Sequence, residues 1–138
     1  MALLVANEAE QRMIQMITNS STAQNQNLSL KLYKNNLTPA STDVLADFTE
    51  ATFTGYSAVT LTSGSWTITP GAPTSAQQSS ATTFSCSGTT SELVYGYYLN
   101  QTAGTCLMWA ERFSDGPYTI ANSGDKIILT AQLTLSTT

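Results

Sequence analysis

The stretch Glu92–Phe113 constrains the chain most. Glu-Leu-Val-Tyr-Gly-Tyr-Tyr-Leu is followed by Asn-Gln-Thr-Ala-Gly and then by Thr-Cys-Leu-Met-Trp-Ala-Glu-Arg-Phe. Two aromatic, β-prone runs flank a polar loop ending in Gly104, which is the pattern of a β-hairpin. A register with Leu99 opposite Thr105 places Tyr95 across from Trp109 and Glu92 across from Arg112. Such pairs each contribute about 0.2–1 kcal/mol. Both faces of this hairpin are rich in apolar groups, whereas an antiparallel pair with one wet face alternates apolar and polar. One face is therefore expected on the β core and the other under a separate cover.

Turns punctuate the rest of the chain. Leu28, Leu30 and Leu32 alternate with Ser29, Lys31 and Tyr33, which predicts a first strand with one wet face, and Asn35-Asn36-Leu37-Thr38-Pro39 ends that strand. Val59 and Leu61, Trp66 and Ile68, Thr82 to Cys86, Tyr118 and Ile120, and Lys126 to Thr137 read as further strands. Thr69-Pro70-Gly71-Ala72-Pro73, Ser114-Asp115-Gly116-Pro117 and Asn122-Ser123-Gly124-Asp125 read as turns. Thr74–Ala81 reads as a mobile or edge segment. Phe48 and Phe53 are expected to pin the irregular region 40–56 to the core. The fold class is all-β, an antiparallel sandwich or barrel of about seven or eight strands, with one N-terminal α-helix.

That helix is expected over residues 7–18. Asn7 and Glu10 form a capping-box pattern, and Ala9, Met13, Ile14, Met16 and Ile17 make an apolar stripe. Met13, Ile14, Met16 and Ile17 are the candidate partner interface, and the stripe is expected to cover the outer face of the hairpin, in its own subunit or a neighbour's. The organisation is an N-terminal arm (1–20), a polar linker (21–27) that lets the arm swing, and a β domain (28–138).

Only 10% of residues are charged, against about 25% in typical soluble domains. The net charge is −4, and the five basic residues Arg12, Lys31, Lys34, Arg112 and Lys126 are scattered. A phosphate-tracking stripe is not expected, and so no nucleic-acid partner. No apolar run approaches the ~20 residues of a membrane helix, and Met1–Ala6 is too short and lacks the basic leader of a signal peptide. The chain contains no histidine, which excludes Ser-His-Asp, Cys-His and histidine–metal sites, and it has no Gly-rich phosphate loop. Asp43, Asp47 and Glu50 match no calcium-loop pattern. No catalytic residue, cofactor or metal site is expected. Cys86 and Cys106 read either as two buried thiols or as a disulfide between neighbouring strands. Tyr95, Tyr97 and Trp109 could stack on sugars if exposed, but aromatics on strands are more often core.

Four segments carry a resemblance: Leu30–Asn36 with Thr38-Pro39; Phe48-Thr49-Glu50-Ala51-Thr52-Phe53-Thr54-Gly55-Tyr56; Tyr95-Gly96-Tyr97-Tyr98; and Trp109-Ala110-Glu111-Arg112-Phe113. Over about residues 1–135 the chain resembles a family of small proteins encoded by tailed bacteriophages and prophages. The resemblance implies a virion structural protein, similar to the cement or decoration proteins of capsid shells. Its expected partners are the phage major capsid protein and itself, as a dimer or trimer, on particles assembled in the host cytoplasm. The alternative is a receptor- or glycan-binding module of the tail or fibre. The four segments read as structural fingerprints rather than site motifs.

Overall fold

The computed structural model describes residues 4–9, 13, 27–71 and 74–135. The protein is all-β with one N-terminal helix, of which Asn7, Glu8, Ala9 and Met13 are described. The strands are β1 (Leu4–Val5), β2 (Leu28–Tyr33), β3 (Val59–Leu61), β4 (Trp66–Thr69), β5 (Thr74–Gln78) and β6 (Thr82–Ser85). They continue as β7 (Glu92–Val94), β8 (Gly96–Gln101), β9 (Leu107–Arg112), β10 (Tyr118–Ile120), β11 (Lys126–Leu129) and β12 (Gln132–Leu135). All pairings among them are antiparallel. A five-stranded sheet runs β1-β9-β8-β2-β3, a three-stranded sheet runs β12-β5-β4, and two ladders pair β10 with β7 and β11 with β6.

The strands outnumber the expectation because two expected strands change sheets midway and because β1 and β5 fall where none was expected; Thr74–Gln78 is the centre of its sheet rather than a mobile or edge segment. Glu92–Val94 pairs with β10, whereas Gly96–Gln101 pairs with β2 and β9. Tyr95 is the break. Its N–H donates to the Tyr33 carbonyl, and its own carbonyl accepts from Phe113 N–H. The C-terminal run is likewise split: Lys126–Leu129 lies beside β6, and Gln132–Leu135 beside β5. The corner is fixed by Gln78, whose backbone N–H donates to the Ala131 carbonyl while its side-chain Oε1 accepts from Ala131 N–H.

The β8–β9 hairpin forms, but in another register. Gly96 faces Arg112, Tyr97 faces Glu111, Tyr98 faces Ala110 and Leu99 faces Trp109. The shift from the expected pairing is even, so each of these side chains keeps its face. The sheet corner at Tyr95 accompanies it: Glu92–Val94 leaves the hairpin, and the remaining strand pairs four positions further along the second run, with Leu99 opposite Trp109 rather than Thr105. A bulge follows, with Asn100 opposite Leu107. The bulge leaves Met108 and Trp109 in the same core cluster while Leu107 turns to the other side.

Two clusters result. The larger lies between the five-stranded sheet and the short ladders: Leu30, Leu32, Leu61, Phe84, Val94, Tyr97, Leu99, Trp109, Ile120, Ile127 and Leu129. Each large side chain buried there contributes about 1.5–3 kcal/mol. The smaller covers the hairpin's second face and holds Ala6, Tyr33, Phe48, Tyr98, Leu107 and Ala110, with Leu37 and Leu45 packed on it. Phe48 meets Tyr33 edge-on at 5.2 Å and Tyr98 at 5.1 Å. The cover of the second face is therefore the 37–48 segment and Ala6. The helix start packs elsewhere, with Ala9 in the larger cluster and Met13 against it. Phe48 and Phe53 do pin their segment, one in each cluster.

Candidate functional site

Of the expected interface residues, Met13 is half-buried against the larger cluster; Ile14, Met16 and Ile17 lie outside the described residues. The start of the arm is fastened rather than loose. β1 pairs with β9, Ala6 and Ala9 are buried, and Asn7 N–H donates to the Ser41 carbonyl at 2.9 Å. Glu8 Oε2 accepts from Leu107 N–H at 3.1 Å, so this carboxylate serves the edge of the hairpin. A shallow groove of about 460 Å³ lies alongside, lined by Glu8, Val44, Leu45, Ala46 and Thr105.

The four fingerprint segments converge on one another. Asn35 clamps the backbone of the neighbouring segment: its Nδ2 donates to the Asp47 carbonyl and its Oδ1 accepts from Thr49 N–H, both at 2.8 Å. Lys31 pairs with Glu50 at 2.9 Å, and the Tyr56 hydroxyl donates to Glu50 while accepting from Leu32 N–H. Arg112 does not pair with Glu92. Its guanidinium donates to the Leu37 carbonyl and Asn36 Oδ1, and it lies 4.9 Å from the centre of the Tyr95 ring. Glu92 accepts from Thr52 N–H, the Thr52 hydroxyl and Phe53 N–H, and pairs with Lys34 at 3.1 Å. Burial alone raises the pKa of Glu92. The hydrogen bonds from Thr52 and the charge of Lys34 overcome it and hold the carboxyl below its usual 4.5. Polar residues of these motifs are thus occupied in joining segments distant in the chain.

Two of the three aromatic candidates, Tyr97 and Trp109, are buried, and the third, Tyr95, is half-buried beneath the Arg112 guanidinium. Tyr97 and Trp109 are 5% exposed, and Trp66 closes over Trp109 at 5.9 Å. The Tyr97 hydroxyl donates to Glu111 Oε2 at 2.6 Å, which gives this half-buried carboxylate its structural role. Burial first, then Glu111, pushes the Tyr97 hydroxyl well above its usual pKa. The calcium-type trio is dispersed as well. Asp43 accepts from Ala40 N–H and Asp47 from Val44 N–H, each closing its own turn, and Glu50 is held by Lys31. Among the described residues no group of three potential ligands could hold a metal, and no helix is long and apolar enough to cross a membrane.

No bond joins Cys86 and Cys106. The buried Cys86 thiol points at the Gly88 carbonyl, whereas Cys106 Sγ lies near the Leu107 carbonyl and the Met108 sulfur. They flank different strands, β6 and β9, which belong to different sheets.

One groove was not anticipated. Phe113, Tyr118, Lys126, Ile127 and Ile128 line an open depression of about 410 Å³. Phe113 and Tyr118 pack at 5.1 Å, and Ile128 is 55% exposed. The sequence holds one trace of it: Ile128 is the sole apolar member of the Ile128-Thr130-Gln132-Thr134 face.

These features define a class, an antiparallel, sandwich-like all-β protein with one N-terminal helix. No protein-family model, no curated protein and no solved structure matches the chain.

Proposed function

We propose that the chain is a non-enzymatic structural protein of a phage virion, a capsid cement or decoration protein that binds the major capsid protein shell and itself. One observation carries the reading: the motifs of the family resemblance engage one another rather than line a pocket. Asn35, Asn36, Glu50, Glu92 and Arg112 hold the segments of the β domain together. A protein whose distinguishing residues stabilise a scaffold fits a role in which the folded body is the product. The low charge and the Ser/Thr-rich surface fit contact through backbone and hydroxyl groups. Labelled antibody imaging of purified virions tests it, with hundreds of copies spread over the head expected. A handful of copies confined to the tail overturns it.

A receptor- or glycan-binding tail module is the second reading, and the Phe113–Tyr118 groove favours it. An aromatic pair beside Lys126 offers a stacking face with a polar rim. Glycan-array binding that is lost on Tyr118→Ala in a folded variant would support this reading over the first.

A further inference from the structure

The three-stranded sheet β12-β5-β4 carries no charged residue. It lies wholly within two stretches, Ala51–Ser91 and Ile127–Thr138, that contain no Asp, Glu, Lys or Arg. The sheet is anchored at one end by Trp66, which packs edge-on against Trp109, and by the grip of Gln78 on Ala131. Beyond that anchor its strands run outward. Ile68 faces Ala76, and Ala76 faces Leu133, so an apolar row crosses the three strands on one face. Ile68 ends the row 68% exposed. On the other face Thr67, Gln77 and Gln132 form a polar row.

β4 is one edge of this sheet and β12 the other, and β4 is the edge that carries the exposed Ile68. Among the described residues its only strand partner is β5. Exposed edges are normally guarded by charged residues, by an interrupting proline or by a bulge, because an unguarded edge pairs with another chain. β4 has none of these: Trp-Thr-Ile-Thr carries no charge, Pro70 follows the strand rather than interrupting it, and the β4–β5 register is regular.

We propose that β4 is a self-association edge, and that its occupant is β4 of a second copy of this chain, related by a two-fold axis and paired antiparallel. The charge distribution suits a second copy. A two-fold interface sets a surface patch against itself. In a chain of net charge −4, a charged patch brings like charges together; the charge-free sheet does not. Pairing completes the hydrogen bonding of both edges and merges the two sheets into one. It also brings the two exposed Ile68 side chains close to one another across the axis. The proposal deepens the self-binding part of the decoration reading, and rests on that reading only for its biological setting.

The test is the oligomeric state of the full chain by sedimentation equilibrium. The wild type is expected as a dimer, or as a higher assembly containing it. Ile68→Lys sets two cations against each other at the axis and is expected to weaken dimerisation by about tenfold or more. Thr67→Lys, on the opposite face of the same edge, is expected to do likewise, which guards against a folding defect special to Ile68. Ser123→Lys, in the exposed turn between β10 and β11, is expected to leave the dimer intact. Far-ultraviolet circular dichroism should show all three variants folded. A monomeric wild type at about 100 μM, a range in which only weak interfaces stay dissociated, overturns the proposal. So does a dimer indifferent to both edge lysines. Virion labelling is read separately: a monomer that still decorates heads refutes the edge and leaves the function standing.

Discussion

Tyr33 lies directly opposite Gly96 in the ladder between β2 and β8, and its ring occupies the space that a side chain at Gly96 would need. A Cβ added at Gly96 would meet Tyr33 Cε1 and hydroxyl at 2.6 Å, and would press on the Glu111 carbonyl as well. The aromatic ring thereby covers the bare backbone next to the corner at Tyr95. The Tyr33 hydroxyl ends on the Leu37 carbonyl, which ties the corner to the cover of the smaller cluster.

Gly96→Ala is therefore expected to destabilise the fold by about 1–3 kcal/mol, the range for overpacking a close-packed site. Urea unfolding of the two proteins checks this. Equal midpoints would show that Tyr33 swings aside without loss.

Glu92 gives stability an acid dependence. Its folded pKa lies below the ordinary 4.5, so its contribution is complete above that value and is lost as pH falls through the folded pKa. Glu92→Gln removes the charge from three donors and from Lys34. It is expected to lower stability at neutral pH by about 1.5–3 kcal/mol, the range for hydrogen bonds to charged groups. It should also flatten the fall below pH ~4.5. Thermal melts across an acid pH series measure both.

The tyrosines act at the other end of the scale. Burial pushes Tyr33 up to about 12, and Tyr56, Tyr97 and Tyr98 higher still. Their neutral forms are favoured in the fold, so the stability they supply is present below the unfolded value of 10.0 and is lost as pH rises through the folded values. Tyrosinate absorbance during an alkaline titration should lag for these residues and then rise together with loss of circular dichroism. Smooth ionisation of every tyrosine near pH ~10 in a chain that stays folded would contradict their burial.

Trp109→Ala is expected to remove about 3–5 kcal/mol, the range for truncating a buried aromatic. The side chain is 5% exposed between Trp66 and the larger cluster. Differential scanning calorimetry reads the loss. A variant of unchanged stability would return Trp109 to the surface and reopen its use as a stacking platform.

Removing residues 1–20 tests the fastening of the arm. β1 covers the outer edge of β9, Ala6 fills the smaller cluster and Ala9 the larger. A sequence reading treats this arm as a separable docking element. The packing leads instead to a lower thermal midpoint and to aggregation through the bared β9 edge. A truncated chain that melts like the full one would show that these contacts contribute nothing.

Most strand locations, their turns and the apolar face of most strands were legible in local chemistry, β1 and β5 excepted. Alternation at Lys126–Leu129, glycine at the turns, and aromatic runs at Glu92–Phe113 follow from a period of two and from steric limits on the backbone. Alternation at Leu28–Tyr33 located that strand, but its expected wet face is covered, with Tyr33 buried in the smaller cluster and Ser29 8% exposed. Those rules act between residues a few positions apart. What they leave open is pairing between distant segments. The hairpin register, the sheet changes at Tyr95 and Thr130–Ala131, and the use of Thr74–Gln78 as a central strand depend on groups far apart in the chain, such as Gln78 with Ala131 and Tyr33 with Gly96. The carboxylates show the same division. Their number and spacing are local facts, but Glu92 chose Lys34 and Thr52 over Arg112 because the break at Tyr95 carried it out of the hairpin. The uncharged edge at β4 joins both levels: the absence of charge is written in the sequence, and only the tertiary pairing places it on an open edge.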